Sequence, residues 1–436
     1  MIVNVESARL YSRLAPYGSV KLKRCRECDK NYGDDIASSR CEVHPKEFNG
    51  FGFKTVIIDE VHRIKNPKSL QTRAIWQICH DPSVNFRWAL TGTPIANHPG
   101  DLWSIMHAVA PKDFPTKSNF MDRYCLMAWN TYGGMDVVGI RPDTRDEFFK
   151  ILDPRFRRII KSRVLPQLPP KIRDVRWVDM TPSQSKQYHE LKKNMMTRTD
   201  DDELFVSPNQ LVLTTRLLQF AAGSVAVEKK DPDNISSWKV TINEPSPKLD
   251  ALEEILDELG ITSSSHEPQV PITIAAEHLD LLYLAAARLD KLKLRYALIT
   301  GQVSSIDRER AIESLKRNEI HALLFTSGAG GEGLDMYAAD TLINLQRSWS
   351  LVKEVQKENR VHRIGSEIHK VVRIIDIITR DTIEERQIAS LHDKFKRLDE
   401  ITRDRATIDP KHQYELDVQE AKIINEPLLL RENEEH

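Results

Sequence analysis

The sequence predicts an α/β protein built on parallel sheets, and three observations predict it. Short apolar runs alternate with stretches of helical period along most of the chain. The clusters richest in carboxylates, hydroxyls, glycines and arginines follow such runs or ride on the next helix, at the edge where open parallel sheets bind ligands. No repeat period or low-complexity block interrupts the alternation.

Taken in order, the expected strands are Lys54 to Ile58, Arg87 to Leu90, Pro271 to Ala275, Tyr296 to Ile299, His321 to Thr326, Thr341 to Leu345 and Lys370 to Asp376. Amphipathic helices lie between them. From Pro247 to Leu259, Leu249, Leu252, Leu256 and Leu259 share a face, Ser246 is placed to N-cap, Pro247 suits the first turn and Gly260 ends the helix. The expected organisation is a first lobe over 1–152, a basic bridge with a helical insertion over 153–244, a second lobe over 245–405 and an acid-rich tail over 406–436.

The 436 residues allow two or three domains, each with its own core, which excludes a single small disulfide-stapled module. Hydrophobic residues make up 40% and charged residues 29%, and no run reaches the roughly 18 apolar residues of a membrane span. The N-terminus lacks the basic start, apolar stretch and cleavage site of a secretory signal, so the expectation is a soluble intracellular protein, of the cytoplasm, or of the nucleoid if prokaryotic or viral. Lys and Arg total 63 against 64 Asp and Glu, so any site for a polyanion has to be a local stripe.

Five cysteines, three of them crowded together, do not make a disulfide framework. The crowded set reads Cys25-x2-Cys28-x12-Cys41-x2-His44, two close ligand pairs joined by a short loop, as tetrahedral structural zinc requires. The zinc-binding insertion would span about 22–48; reduced free thiols are the other reading.

Four clusters carry chemistry. VIIDEVH, Val56 to His62, is a strand delivering Asp59, Glu60 and His62 at its C-terminal end, where one carboxylate can hold hydrated Mg²⁺ and its neighbour orient a water; a solvated acidic turn is the plain alternative. WALTGTPIAN places Thr91, Gly92 and Thr93 in a tight turn after the next strand. GAGGEGLD, Gly328 to Asp335, contains a literal G-x-G-x-x-G, but Ser348 stands where a dinucleotide site needs an acid, so a glycine loop approaching a phosphate through Gly331, Gly333 and Asp335 is preferred. QKENRVHRIG puts Gln356, Arg360 and Arg363 on one face of a predicted helix, either as a phosphate clamp or as surface partners of Glu354 and Glu358.

From Asp153 to Arg176 the cations, among them Arg157, Arg158, Lys161 and Arg163, outnumber Asp153 and Asp174. Such an excess suits a phosphate backbone, or equally a solvated helix linking two lobes.

In this order DEVH, TGTP, the glycine loop and Q-x-x-x-R-x-x-R-I-G resemble motifs II, III, V and VI of superfamily II helicase-like ATPases, and the surrounding text resembles the SWI/SNF type. NHPGDLWSI, RRIIKSRVLPQLPPK, SPKLDALEEIL, GQVSSIDRERAI and DTIEER add to the match. The resemblance implies two RecA-like lobes with ATP between them and double-stranded DNA tracked across both. It implies Asp59 for Mg²⁺, Glu60 for the attacking water, His62 and Gln356 for coupling, and Arg360 and Arg363 for the phosphates. One element of that family is missing: the sequence holds no G-x-x-x-x-G-K-[ST], nor any Gly-Lys dipeptide. The expectation is therefore a DNA-dependent ATPase and translocase with a truncated first lobe, whose Walker A loop comes from an upstream polypeptide. The alternative is a catalytically inactive or split-enzyme DNA-binding fragment.

Overall fold

The computed structural model describes residues 2–5, 8, 52–95, 98–129, 134–159, 161–199, 204–207, 210–228, 238–262, 270–329 and 334–402. These form two compact units, drawn from Met1–Arg158 with Lys396–Arg403 and from Ile159–Phe395 with Asp404–His436.

In the first unit, β1 (Thr55–Ile58) pairs in parallel with β2 (Phe86–Ala89), Ile57 opposite Trp88, around α1 (Leu70–Cys79). Ser69 caps α1, its hydroxyl accepting from Thr72 N at 3.1 Å. Ile58, Val61, Ile64, Ile75, Ile78, Ile105 and Ala108 bury one face of the pair, the last two from α2 (Asp101–Val109). The opposite face leaves Ile57, Phe86 and Trp88 more than half exposed. Beyond α2 come α3 (Lys117–Tyr124), the antiparallel hairpin of β3 (Cys125–Trp129) and β4 (Met135–Ile140), and α4 (Arg145–Leu152). Phe114, Phe120, Tyr124, Phe148 and Phe149 pack there through tilted and edge-to-face ring contacts. Cys79 and Cys125 are free and buried, and burial pushes their thiols up to about 12 and about 11.

The second unit opens with one turn, α5 (Lys161–Val164), then β5 (Lys171–Val178), α6 (Pro182–Asn194), β6 (Met196–Arg198), β7 (Leu204–Val206), α7 (Gln210–Ala222) and the β8–β9 hairpin (Ser224–Glu228, Lys239–Asn243). There follow α8 (Pro247–Glu258), β10 (Ile272–Ala276), α9 (Leu279–Lys291), β11 (Tyr296–Ile299), α10 (Ser305–Lys316), β12 (Ala322–Thr326), β13 (Thr341–Asn344), α11 (Leu351–Val361), β14 (Val372–Thr379) and α12 (Ile383–Thr402). Six strands make one parallel sheet in the order β11-β12-β10-β13-β14-β5. Every residue of β10 is buried, as a parallel strand covered on both faces should be. Leu249, Leu252, Leu281 and Leu289 cover one face, and Leu315, Met336 and Val361 the other.

Three local expectations are corrected. Ser246 makes no cap; its hydroxyl donates instead to Ala222 O at 2.6 Å, while Gly260, at φ 68°, does terminate the helix region. KIRDVRWV, expected within the bridge, is β5, an edge strand paired along its whole length with β14, so the sheet reaches across the boundary drawn at 245. The alternating charges hid it, because they find their partners only on the sheet. Finally, α11 stops at Val361: His362 leaves helical geometry at ψ 87°, so Arg363 lies beyond the helix and does not share its face with Gln356 and Arg360.

Among the described residues, no helix is long and apolar enough to cross a membrane.

Candidate functional site

β1 delivers Asp59 and Glu60 just past its C-terminal end, where a parallel sheet presents ligand-binding loops. The chain turns sharply there. Glu60 adopts φ 47°, ψ 47°, a left-handed conformation uncommon outside glycine, and its N–H donates to Asp59 Oδ1 at 2.9 Å. Val61 and Ile64, both buried, anchor the following 3₁₀ turn in the core. Val61 N donates to Leu90 O at 3.0 Å and Leu90 N to Ile58 O at 2.8 Å, so the two motif-bearing loops are fastened backbone to backbone.

His62 completes the junction. Its Nδ1 lies 3.2 Å from both Glu60 Oε2 and Thr91 Oγ1, and Thr91 Oγ1 accepts from Thr93 N at 3.1 Å. An ionised carboxylate only accepts, so Glu60 selects the tautomer with its proton on Nδ1. Burial, helped by Lys65 and Arg63 and opposed by Asp59, pushes the His62 pKa down and keeps the ring neutral. The result is an exposed carboxylate, Asp59, beside a second carboxylate oriented by a neutral imidazole. Hard oxygen donors of this kind suit a hydrated Mg²⁺.

In the second unit, Arg363 pairs with Asp335 Oδ1, the residue closing the glycine-loop motif, and Met336 N donates to Arg360 O at 3.0 Å. The arginine turn and the end of the glycine loop are thus joined. Gly365 makes the approach feasible: at φ 106°, a Cβ there would stand 2.7 Å from the Tyr337 ring. Gly331 and Gly333 lie outside the described residues, as do Cys25, Cys28, Cys41 and His44.

The expected surface partners of the arginines are engaged elsewhere. Glu354 accepts from Arg347 Nε at 2.9 Å and from Lys357 at 2.8 Å, while Glu358 pairs with Lys171 at 2.8 Å and with Arg173. Arg173 and Arg347 both reach Asp376, at 2.9 and 3.2 Å, and Asn344 Nδ2 donates to its other oxygen at 2.6 Å. Burial alone would raise Glu358 and Asp376; the surrounding guanidinium and ammonium groups outweigh it and hold both below the usual carboxylate range. A second buried pair, Lys248 with Glu384 at 2.8 Å, ties α8 to α12. Sequence reading missed Arg347, Asp376, Lys248 and Glu384, although a lone Asp376 inside an apolar strand is a readable sign of a paired buried charge.

The cationic stretch is largely satisfied from afar. Arg155 pairs with Asp113, Arg176 with Glu258, and Lys161 Nζ donates to Asn359 Oδ1 at 2.9 Å and to His362 O. Arg157 and Arg163 are exposed and Arg158 half-buried.

The fold and these loops define an α/β protein of helicase-like class, and comparison with known proteins makes it specific. The SNF2-related domain matches residues 32–222 and the helicase conserved C-terminal domain residues 247–365. The chain belongs to the SWI/SNF type of superfamily II helicase-like proteins. It is 27% identical over 344 residues to the SWI/SNF chromatin-remodeling complex subunit snf22 of Schizosaccharomyces pombe, covering 76% of this chain and 20% of that one. Against the human TATA-binding protein-associated factor 172 it is 26% identical over 378 residues, covering 78% and 20%. The chain therefore spans about a fifth of these relatives' length. Among solved structures, the Sulfolobus solfataricus SWI2/SNF2 ATPase core in complex with dsDNA matches at 22% identity and TM-score 0.37, over 81% of this chain and 74% of that one.

Proposed function

We propose that this chain is a DNA-dependent ATPase core that couples ATP hydrolysis to movement along double-stranded DNA. The observation carrying the reading is the His62 junction, which binds the DEVH carboxylates to the TGTP turn in one hydrogen-bonded unit. In this reading Asp59 holds Mg²⁺, Glu60 orients the attacking water, and Thr91, Gly92 and Thr93 belong to the cofactor-binding set. Gln356 serves coupling with His62, Arg360 and Arg363 serve the phosphates, and Gly331, Gly333 and Asp335 form the loop beside them. Arg157, Arg158 and Arg163 are assigned to the DNA backbone; Lys161, expected with them, is left out because its ammonium is already bonded to Asn359 Oδ1 and His362 O. A steep fall of duplex affinity with salt, flattened when Arg157 and Arg158 are reversed in charge, tests the assignment.

Two observations favour a second reading, a split-enzyme fragment that binds DNA without turnover. The sequence has no phosphate cradle of the G-x-x-x-x-G-K-[ST] kind. The β1–β2 pair exposes Ile57, Phe86 and Trp88, whereas parallel sheets are covered on both faces, so a polypeptide bringing the Walker A loop has a surface to dock on. DNA-stimulated phosphate release decides between them. Release by the purified chain, abolished in Glu60→Gln, supports the ATPase; duplex binding with no release supports the fragment.

Cys25, Cys28, Cys41 and His44 are assigned to one structural Zn²⁺, a donor set of three thiolates and an imidazole that suits the metal. Purified Cys28→Ser retaining stoichiometric zinc removes the assignment.

A further inference from the structure

The last turn of α11 and the residues after it, 359–363, are gripped by a segment nearly two hundred positions earlier in the chain. Lys161 Nζ donates to Asn359 Oδ1 at 2.9 Å and to the carbonyl of His362. His362 is the C-cap of α11, so this ammonium satisfies a carbonyl at the negative end of the helix. The side chain of the same residue is held as well: His362 Nε2 donates to Pro169 O at 2.9 Å, which a carbonyl partner requires. One turn back, Lys171 at 2.8 Å and Arg173 hold the two oxygens of Glu358. Four residues of the 161–173 segment, Lys161, Pro169, Lys171 and Arg173, therefore grip the stretch carrying Arg360 and Arg363, and segment and stretch lie within one compact unit.

We propose that Lys161, Lys171 and Arg173 are positioning residues that set the direction in which Arg360 and Arg363 are presented. The inference rests on the reading that those two arginines act on nucleotide phosphates. It gives cations of the basic stretch a role distinct from holding DNA: their charge is spent on the arginine turn. Arg363 is close enough to Lys161 for the two charges to interact; with burial first and Lys171 next, its charge helps bring the Lys161 pKa down to about 8. Lys161 is thus costly to keep charged where it stands, and its two acceptors account for its staying there.

The test has two arms, both on the complete chain. In the first, hydrogen–deuterium exchange follows the amides of Met336 and His362, which donate to Arg360 O and Glu358 O. Lys161→Met should speed both by about tenfold or more, the effect of losing its two charge-assisted hydrogen bonds, while Lys161→Arg restores protection and β10 and β12 stay unchanged. If Lys161→Met fails to fold, Lys171→Met is read in the same way. Unaltered exchange at both amides overturns the proposal. In the second arm, DNA-stimulated phosphate release should show kcat reduced about tenfold with the KM for ATP within twofold, because misaimed arginines weaken the transition state rather than ground-state binding. Faster exchange with kcat unchanged also overturns it. Absence of release from the parent chain removes the ATPase reading instead, and the exchange arm alone then decides whether the segment fixes the arginine turn.

Discussion

His62 and Thr91 are 29 positions apart in sequence and 3.2 Å apart in space, Nδ1 to Oγ1. The contact joins the loop after β1 to the loop after β2, and Thr91 also accepts from Thr93 N, so one hydroxyl orders both turns.

Thr91→Val keeps the shape and removes that hydroxyl. It should destabilise the first unit by about 1–2 kcal/mol, since the Thr93 amide and the His62 ring both lose an acceptor, whereas Thr91→Ser should stay near the parent. Equal urea midpoints for Val and Ser would show that the junction contributes nothing.

Lys248 is fully buried and reaches Glu384 at 2.8 Å, Leu345 O at 2.8 Å and Ile377 O at 2.5 Å. Replacing it by Met strands a buried carboxylate and should cost about 3–5 kcal/mol. Adding Glu384→Leu should recover much of the loss, because the orphaned charge leaves with its partner. A double variant no more stable than Lys248→Met alone, by chemical denaturation, contradicts this account.

Gly365 combines a left-handed φ with a position where any Cβ meets the Tyr337 ring. Gly365→Ala should destabilise the second unit by roughly 1–3 kcal/mol and speed exchange of the Ser366 amide, which donates to Arg363 O at 2.9 Å. Adding Tyr337→Ala should relieve the clash while leaving the backbone strain. Gly365→Ala with parental stability would mean that the turn has another conformation open to it.

Stability should fall with acid in two stages. Burial holds His62, His98, His278 and His362 below their ordinary 6.5, so the unfolded chain takes up protons first. Their contribution is complete above pH 6.5 and is lost as pH drops through 6.5 toward the lowered values. Glu358 and Asp376, held low by their cationic partners, lose their contribution only when pH falls below the usual carboxylate range. Urea midpoints measured from about pH 8 down to about pH 2 should show both declines; a level curve between about pH 7.5 and 5.5 rules out the histidine stage.

Much of this was readable beforehand because it is local. Apolar runs marked β1, β10, β12 and β13 to within a residue or two, and the order of DEVH, TGTP, the glycine loop and the arginine motif was enough to indicate the family. The antiparallel hairpin β3–β4 was not seen, because MDVVGI and CLMAW are short and half exposed.

By itself the sequence determined which chemistry the loops carry and on which strand ends they fall, since strand period, turn residues and motif order act over a few neighbours. Only the tertiary structure decided where the charges go. Arg173 finds Asp376 across 203 positions and Lys161 finds His362 across 201, and no local pattern announces pairs at that separation. A buried charge must be matched wherever the fold brings a partner. Three cations of what reads as an open binding stripe, Lys161, Lys171 and Arg173, thus find their partners on Glu358, Asn359 and His362, where the fold carries them.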